Sequence, residues 1–253
     1  MLEIYNYGKI REIRLARPPV NALNPELVRL LTKALCEAQT ECNALVLSGR
    51  EGVFSAGLDL IELILLDRAG MTSFWRSFFK LLETIACSQV PVAVAITGHS
   101  PAGGAVMSMM ADYRVMCRGN YIVGLNETRV GLVIPAVLQN TMARLVGSRI
   151  AESMVVAGTL VNPEDALKIG FVDALETDYE ATVQHAVGWC EDLLSLPTHS
   201  MLGNRGISRA HFKTEFASNT ADGVSGFVES WFSEETQVIL NDMVDKLKNK
   251  SAS

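Results

Sequence analysis

The sequence lacks the residue spacings that metal sites and structural disulfides use. Its five cysteines are an odd number without a CxxC pair, and its four histidines show no HExxH or similar spacing. We therefore expect no metal site and no metal cofactor. Most of the cysteines lie in apolar segments, which is typical of buried free thiols in a reducing compartment.

The sequence also lacks clustered positive charge and long apolar runs. Its formal net charge is -6 and its basic residues are mostly spread along the chain, which argues against a nucleic-acid partner. No apolar run has the length of a transmembrane helix, so we expect no membrane partner. Residues 1–5 (MLEIY) contain neither a positive leader nor an Arg-rich transit segment. We expect a cytoplasmic protein, unless an organelle-targeting segment has been removed.

Two glycine-bearing turns are the most informative features that are present. Residues 54–59 (FSAGLD) and 100–104 (SPAGG) each follow an apolar segment typical of a buried strand, at 44–47 and 91–96, and each precedes a helical pattern. A glycine turn between a strand and a helix leaves backbone N–H groups free at the helix N-terminus. Two such turns held together can place two N–H donors around one oxygen anion.

These turns do not fit the common glycine motifs. Neither matches GxGxxG or GxxxxGK[ST], which disfavours a dinucleotide site and a P-loop. Ser55 and Ser100 stand outside a GxSxG pattern, and no histidine–acid pairing is evident for either, which disfavours a serine hydrolase.

Strand and helix patterns alternate as far as residue 176, and only helical patterns follow. The fold class is therefore α/β, with a C-terminal helical part. We place an α/β core with the substrate site at residues 1–195 and a helical region, expected to mediate oligomerisation, at 196–253. The elements predicted near this boundary are a last strand, two helices and a less regular segment between them, at 171–175, 178–195, about 222–248 and 197–221.

Six short segments form a combination more specific than any one of them. They are RPPVNAL at 17–23, FSAGLDL at 54–60, GHSPAGG at 98–104, ADYR at 111–114, NETRVGL at 126–132 and ALKIGFVD at 166–173. In this order they resemble the crotonase, or enoyl-CoA hydratase/isomerase, superfamily. The resemblance implies a crotonase-like spiral of β-β-α units with two roughly perpendicular sheets and a C-terminal helical region that packs between subunits. It also implies an acyl-CoA substrate, no separate cofactor because coenzyme A is part of the substrate, and a homotrimer or a dimer of trimers.

The resemblance also assigns site residues by position. It makes the backbone N–H groups of Leu58 and Gly103 the oxyanion hole, and Glu127 the group that moves the proton. Asn126 is expected to position the base or the substrate, with a plain turn residue as the alternative. The residues expected to contact the substrate are Val20, Asn21, Ala22, Ala56, Gly57, Asp59, Leu60 and Asn126.

Several of these residues also have a structural interpretation. Glu127 on its own is typical of a surface acid near a strand end, and only the accompanying segments favour a catalytic role. Asp59 is expected to cap the helix after its turn, and Asp112 to end a helix or to pair with a base such as Arg114. The aromatic stripe at 74–79 is typical of a core, and an acyl-chain tunnel is the alternative.

The carboxylates distinguish between reactions. Hydratases of this superfamily carry two glutamates, but here Val106 occupies the first position and only the second, Glu127, is present. Two carboxylates suit the addition of water, whereas one is enough to move a proton from C2 to C4 of a 3-enoyl thioester. The chain therefore resembles the Δ3,Δ2-enoyl-CoA isomerase branch, which shifts a double bond from C3 to C2 through a dienolate. The alternatives are a hydratase or other crotonase-fold acyl-CoA enzyme, and a non-catalytic acyl-CoA-binding or RNA-binding protein.

Overall fold

Repeated strand–strand–helix units build the first part of the chain in the computed structural model. The structure describes residues 1–251, with the backbone alone at 219, 220, 250 and 251. Residues 252 and 253, which end the predicted helical region, lie outside the described residues. The strands are β1 (Leu2–Tyr7), β2 (Ile10–Leu15), β3 (Ala44–Ser48), β4 (Gly52–Val53), β5 (Val92–Ile96), β6 (Gly98–Pro101), β7 (Tyr113–Cys117), β8 (Val123–Gly124), β9 (Leu160–Val161) and β10 (Ala174–Glu176).

The described strands form two sheets. A six-stranded sheet has the order β1-β2-β3-β5-β7-β10, and a four-stranded sheet has the order β4-β6-β8-β9. The neighbours β3, β5 and β7 run parallel in the larger sheet, and β4, β6 and β8 run parallel in the smaller one. The pairs β3–β4, β5–β6 and β7–β8 therefore each add one strand to each sheet, whereas β1 and β2 both join the larger sheet. This arrangement confirms the predicted α/β class and its β-β-α units.

The helices follow these units and then make up the C-terminal part alone. Asn24 and Asn162 cap two of them with their side-chain oxygens, as the Asn-Pro-Glu sequence at both positions predicts. The helices are α1 (Pro25–Glu41), α2 (Leu60–Leu63), α3 (Arg68–Ala86), α4 (Gly103–Met109), a 3-10 helix (Glu127–Val130), α5 (Ala136–Val146), α6 (Ser148–Ala157), α7 (Pro163–Lys168), α8 (Tyr179–Leu194), α9 (Thr198–Trp231) and α10 (Glu234–Ser251).

Helices cover both faces of the larger sheet. The strands β3 and β5 are buried along their whole length, which explains their continuous apolar sequences. On one face, Ala93 and Ala95 pack against α8 through Ala186 and Cys190. On the other face lies the main core, to which α1, α3 and α4 contribute. The small residues of β5 let α8 approach the sheet closely.

The described residues contain no membrane span and no metal cluster. None of the described helices is both long and apolar enough to cross a bilayer. Across residues 1–251, no three or more His, Cys, Asp or Glu side chains are grouped as metal ligands are. All five cysteines are free thiols, but Cys36 is exposed, so the expectation of burial is wrong there. Cys36 lies on α1 at a position that faces away from the core.

The segment at 197–221 differs from its prediction. It is not less regular than its surroundings, because the single helix α9 runs from Thr198 to Trp231. Its buried side chains include Met201, Phe212 and Phe216, which anchor it although glycines interrupt the sequence pattern. Tertiary packing therefore overrides the weak helix propensity of this stretch.

The last strand also begins later than predicted. Phe171 and Val172 were expected inside it, but β10 covers only Ala174–Glu176. The backbone N–H of Phe171 instead donates to the carbonyl of Ala166 at 2.8 Å, which closes the turn after α7. Both side chains are buried, so their apolar character reflects the core and not a strand.

Asp112 pairs with arginines that lie far from it in the sequence. Its carboxylate accepts hydrogen bonds from Arg205 Nε and Nη2, each at 2.9 Å, and Arg209 Nη1 lies 3.4 Å from its Oδ1. The predicted partner, Arg114, pairs with Asp173 at 2.9 Å instead. Asp112 therefore pairs with a base as predicted, but the named partner was wrong, because Arg205 and Arg209 lie on α9 and Arg205 is 93 residues further along the chain. This network fixes α9 to the end of α4.

We expect Asp112→Asn to destabilise the protein by about 3 kcal/mol or more, because it leaves two largely buried guanidinium groups without their counter-charge. Urea denaturation of the purified variant measures this effect. Asp242→Asn is the matched control, since it removes an exposed ion pair to Lys246 on α10 and should cost no more than about 0.5 kcal/mol. Equal effects of the two substitutions would contradict the structural role of Asp112.

Candidate active site

Three neighbouring strands of the smaller sheet lead into one cavity. The strands β4, β6 and β8 are parallel, so their carboxyl ends lie at the same edge of the sheet. Leu58 follows β4, Gly103 follows β6 and Glu127 follows β8, and all three line the cavity. Ligand sites of α/β proteins commonly form at such an edge. The fold thereby brings together the three residues that the sequence singles out as catalytic.

The two glycine turns are in direct contact. An ideal Cβ placed on Gly57 would lie 3.2 Å from the backbone nitrogen of Gly103, and one on Gly103 would lie 3.3 Å from the Cα of Gly57. Gly57 also has a φ of +88°, which side chains rarely tolerate. Glycine at both positions is therefore what lets the two backbones approach this closely.

The N–H groups of Leu58 and Gly103 are both available to a ligand. Leu23 is hydrogen-bonded to the residues on either side of Leu58, since its N–H donates to Gly57 and its carbonyl accepts from Asp59. The N–H of Leu58 therefore points to the other edge of this extended segment. Gly103 is the first residue of α4, where N–H groups have no intrahelical acceptor. Among the described residues, neither N–H donates a hydrogen bond.

Ala102 sets the direction of the second turn. It has φ 49° and ψ -122°, an unusual conformation for a residue with a side chain. Its N–H donates to the carbonyl of Gly124 at 2.9 Å, and its carbonyl accepts from the N–H of Val106 at 2.9 Å. These bonds hold the turn between β6 and α4, and they link it to β8, the strand that leads to Glu127.

Glu127 begins a short helix that is fixed on several sides. Thr128 Oγ1 donates to the carbonyl of Val155 at 2.7 Å, and Arg129 Nε donates to the carbonyl of Gly158 at 2.6 Å. At the end of the helix, Thr236 Oγ1 on α10 donates to the carbonyl of Gly131 at 2.7 Å. The backbone that carries Glu127 is therefore anchored to α6 and to α10.

The carboxylate of Glu127 is buried without a compensating partner. Its Oε2 has no hydrogen-bond partner among the described residues, although the residue as a whole is partly exposed. Burial raises the pKa of Glu127 to about 7, and the nearby backbone N–H groups of Glu127 and Asn126 offset only part of the effect. A group with a pKa near neutrality can both take and return a proton at physiological pH.

The cavity around these groups is small and mainly apolar, with a volume of about 100 Å³. Among the described residues that line it, Glu127 is the only one with an ionisable side chain. Val106 lies in the wall, where a second carboxylate would have been needed for the hydratase pattern. The lining residues are Ala56, Leu58, Leu60, Trp75, Phe78, Pro101, Ala102, Gly103, Val106, Asn126, Glu127, Val130, Leu132, Ile134, Pro135, Leu138, Phe227 and Met243.

The residues predicted to contact substrate fall into two groups. Ala56, Leu60 and Asn126 line the cavity itself. Val20 lines a more open groove beside it, which shares Ala56 and Pro101 with the cavity. Of the 20–23 segment only Val20 lines this groove, and its contact with substrate stays a prediction.

The other predicted contacts use their side chains or backbone inside the protein. The Asn21 side chain accepts from the N–H of Arg17 at 2.8 Å and donates to the carbonyl of Phe54 at 3.0 Å. Arg17 also donates to the carbonyl of Ala22 at 3.0 Å and pairs with Asp59 at 2.7 Å. Asp59 caps α2, as predicted. These bonds tie the 20–23 segment to the first glycine turn, and substrate contact by these residues stays a prediction.

Two other acids, Glu62 and Glu83, and the two serines of the glycine turns make their contacts as follows. Glu62 pairs with Arg17 at 2.7 Å, and Glu83 pairs with Lys80 at 2.9 Å, and neither lines the cavity. Ser55 Oγ donates to the carbonyl of Asn21 at 2.8 Å. Ser100 Oγ is buried and, among the described residues, has no partner. Neither serine has the histidine partner that a nucleophile needs.

The aromatic stripe at 74–79 belongs partly to the core and partly to the cavity wall. Phe74 and Phe79 are core residues, whereas Trp75 and Phe78 also form part of the cavity wall. Phe227 of α9 and Met243 of α10 complete this wall from the C-terminal helices. Sequence reasoning did not single out these last two residues, because no local pattern shows which helical side chains meet a cavity formed by distant elements.

Comparisons with known proteins match the chain to one family over most of its length. A family model described as Enoyl-CoA hydratase/isomerase matches residues 6–230. The chain is 29% identical over 245 residues to mitochondrial enoyl-CoA delta isomerase 1 of Rattus norvegicus, covering 95% of this chain and 84% of the relative. It is 28% identical over 219 residues to a probable enoyl-CoA hydratase of Mycobacterium avium, covering 85% of this chain and 83% of the relative.

Solved structures share the fold over nearly the whole chain. The crystal structure of human mitochondrial delta3-delta2-enoyl-CoA isomerase superposes with a TM-score of 0.92 at 27% identity, covering 98% of each chain. An enoyl-CoA hydratase/isomerase from Mycobacterium paratuberculosis superposes with a TM-score of 0.85 at 20% identity, covering 95% of this chain and 97% of that one. At 20% identity the second comparison supports the fold alone.

The raised pKa of Glu127 predicts a pH-dependent stability. The folded protein holds this proton more tightly than the unfolded chain, so the resulting stabilisation is lost as the pH rises from about 4.5 to about 7. We expect Glu127→Gln, which cannot ionise, to raise the free energy of unfolding relative to the native protein at pH 8. The gain reaches at most about 3 kcal/mol and shrinks toward pH 5.

Urea denaturation at pH 5 and pH 8 measures this difference. Glu152→Gln is the matched control, because Glu152 is exposed on α6 and the same substitution there should have similar effects at both pH values. A change in stability for Glu127→Gln that is the same at both pH values would show that this carboxylate is not destabilised by burial.

Proposed function

The chain belongs to the enoyl-CoA hydratase/isomerase family of the crotonase superfamily, and from this premise we propose that it is a Δ3,Δ2-enoyl-CoA isomerase. The observation that carries the proposal is the cavity in which two free N–H donors face a single ionisable side chain, Glu127. The likeness to enoyl-CoA delta isomerase 1 supports the same choice. An acyl-CoA thioester is the substrate class of this proposal.

The two N–H donors act on the thioester oxygen. In the proposed complex this oxygen lies between the N–H groups of Leu58 and Gly103. When a proton leaves C2, negative charge moves onto the oxygen, and the two fixed donors stabilise it more strongly than they stabilise the neutral carbonyl. One such donor contributes roughly 3–4 kcal/mol in comparable sites. The donors belong to the backbone, so they need no reorganisation during the reaction.

Glu127 carries the proton between two carbons. Its carboxylate takes a proton from C2 of the 3-enoyl thioester, and the electron pair left behind forms the dienolate. The same carboxyl group then returns the proton to C4, and the double bond comes to lie between C2 and C3. The substrate and product are isomers, so the step consumes no oxidant or reductant. Asn126, beside Glu127 in the cavity wall, orients either the base or the substrate in this proposal.

Val106 is the reason for proposing isomerisation in preference to hydration. Its buried side chain can neither orient a water molecule nor transfer a proton. A hydratase site needs a second group for that purpose, and the described lining offers no further carboxylate. The homotrimer, the division of the chain at residue 195 and the cytoplasmic location stay predictions from the sequence.

We expect Glu127→Gln to lower the isomerase kcat by about 10²–10⁴-fold, because the amide cannot accept the C2 proton. In the native protein, kcat/KM should rise with pH through about 7 and then level off, as the base becomes ionised. Formation of 2-enoyl-CoA from 3-hexenoyl-CoA, followed by ultraviolet absorbance, measures both effects. Near-normal turnover by the Gln variant, shown to be folded by circular dichroism, would refute the assignment of the base.

We also expect the protein to hydrate 2-hexenoyl-CoA at least about 100-fold more slowly than it isomerises 3-hexenoyl-CoA, because Val106 replaces the second carboxylate. The loss of the conjugated thioester absorbance measures hydration, and a known hydratase serves as the positive control for the assay. Hydration at a rate comparable to isomerisation would identify the protein as a hydratase.

A further inference from the structure

Two stacked aromatic rings from different helices form part of the cavity wall. Trp75 of α3 and Phe227 of α9 have ring centroids 3.6 Å apart and planes inclined by 9°. Both are almost fully buried, and both line the cavity. The stack therefore joins the two helices within this wall.

A second set of rings packs around this stack. Phe78 lies 5.2 Å and Phe79 lies 5.7 Å from the Trp75 ring, and Phe79 in turn meets Phe216 of α9 edge-on at 6.2 Å. Phe227 is backed by the fully buried Trp231 at 6.0 Å. Each ring of the stack thus has at least one further packed aromatic neighbour.

The backbone of α9 also packs closely against these rings and limits how far they can move. An ideal Cβ on Gly223 would lie 3.1 Å from Cζ of Phe79 and 3.2 Å from Cβ of Pro135. The helix therefore lies directly against the second set of rings at this glycine. Close-packed cores of this kind resist the insertion of additional methylene groups.

The remaining wall suits a plain hydrocarbon chain. Beyond the reacting end, where Asn126 and Glu127 lie, the wall is formed by aliphatic side chains such as Leu132, Ile134 and Leu138. An acyl chain with a polar substituent would lose its hydrogen bonds to water there without replacement. The cavity accordingly fits an unsubstituted alkyl or alkenyl chain.

The volume of the cavity limits the length of that chain. A buried cavity of about 150 Å³ holds benzene, which has six carbon atoms. The present cavity, at about 100 Å³, is smaller than that one, so it favours a short hydrocarbon chain. We propose that the protein selects short-chain 3-enoyl thioesters, of about four to six carbons, and that Trp75 and Phe227 set this limit. The proposal rests on the isomerase function proposed above.

Two measurements on the native protein test the chain length. The first is kcat/KM for 3-enoyl-CoAs of six, eight, ten and twelve carbons, which we expect to fall at least tenfold between six and ten carbons. The second is the affinity for saturated acyl-CoAs of the same lengths by calorimetry, which does not depend on catalysis. Similar values of both quantities for six and ten carbons would overturn the length limit.

These measurements separate the two proposals. If affinity falls with chain length and no 3-enoyl-CoA is isomerised, the length limit stands as a property of the acyl pocket and the isomerase function is wrong. If isomerisation proceeds equally well at all lengths, the isomerase function stands and the length limit is wrong.

Phe227→Leu tests the assignment to the aromatic stack. It replaces one ring of the stack with a smaller apolar side chain. We therefore expect about a tenfold rise in the ratio of kcat/KM for the ten-carbon substrate to kcat/KM for the six-carbon substrate. Phe212→Leu is the matched control, because Phe212 is also buried on α9 but neither lines the cavity nor belongs to the second set of rings. Its ratio should stay unchanged.

An equal rise in both variants, or no rise in either, would overturn the role given to Phe227. Trp75→Phe provides a second, independent change at the other ring of the stack, and it should shift the ratio in the same direction as Phe227→Leu. Thermal unfolding of each variant verifies that the folded state is retained during the assays.

Discussion

The contact between the two glycine turns is the constraint on which the rest of the site depends. Gly57 and Gly103 approach so closely that a side chain on either would meet the backbone or the neighbouring residues of the other turn. This contact fixes the distance between the N–H groups of Leu58 and Gly103, which no flexible side chain could hold as firmly. The smaller sheet maintains it, because β4 and β6, which lead to the two turns, are hydrogen-bonded neighbours.

The same fold also holds the Glu127 carboxylate in a buried position that disfavours its ionised form. This carboxylate is buried among apolar walls, where an ionised group is costly, and the backbone of Glu127 is held there by bonds to α6 and α10. The backbone N–H groups of Glu127 and Asn126 offset only part of this cost at the carboxylate, and the packing of those helices compensates for the rest. A weaker scaffold would let the side chain turn outward to water, and its pKa would return toward the ordinary value. The burial of Glu127 therefore both destabilises the folded protein and raises the pKa on which the proposed proton transfer depends.

Much of the fold and site could be predicted because the relevant signals are local. Asn24 and Asn162 predict helix starts, and the glycine turns predict the free N–H donors. Each of these signals spans only a few residues. The partners of Asp112 could not be found in this way, because Arg205 and Arg209 lie on α9 and only the folded chain brings them near. Phe227 and Met243 were missed for the same reason. Long-range contacts determine the walls of the cavity, whereas short motifs determine its reacting end.

The placement of the oxyanion donors on the backbone has a consequence for how such a site tolerates mutation. Every amino acid except proline supplies an N–H group, so a substitution at Leu58 changes the surface offered to the ligand while the donor itself persists. The carboxylate, in contrast, disappears with any change of Glu127 other than to aspartate. Under the proposed function, activation of the thioester is therefore the part of the site less sensitive to substitution, and proton transfer by Glu127 is the more sensitive part. A change of the carboxylate alone would then alter the reaction while the backbone that binds the anion is kept.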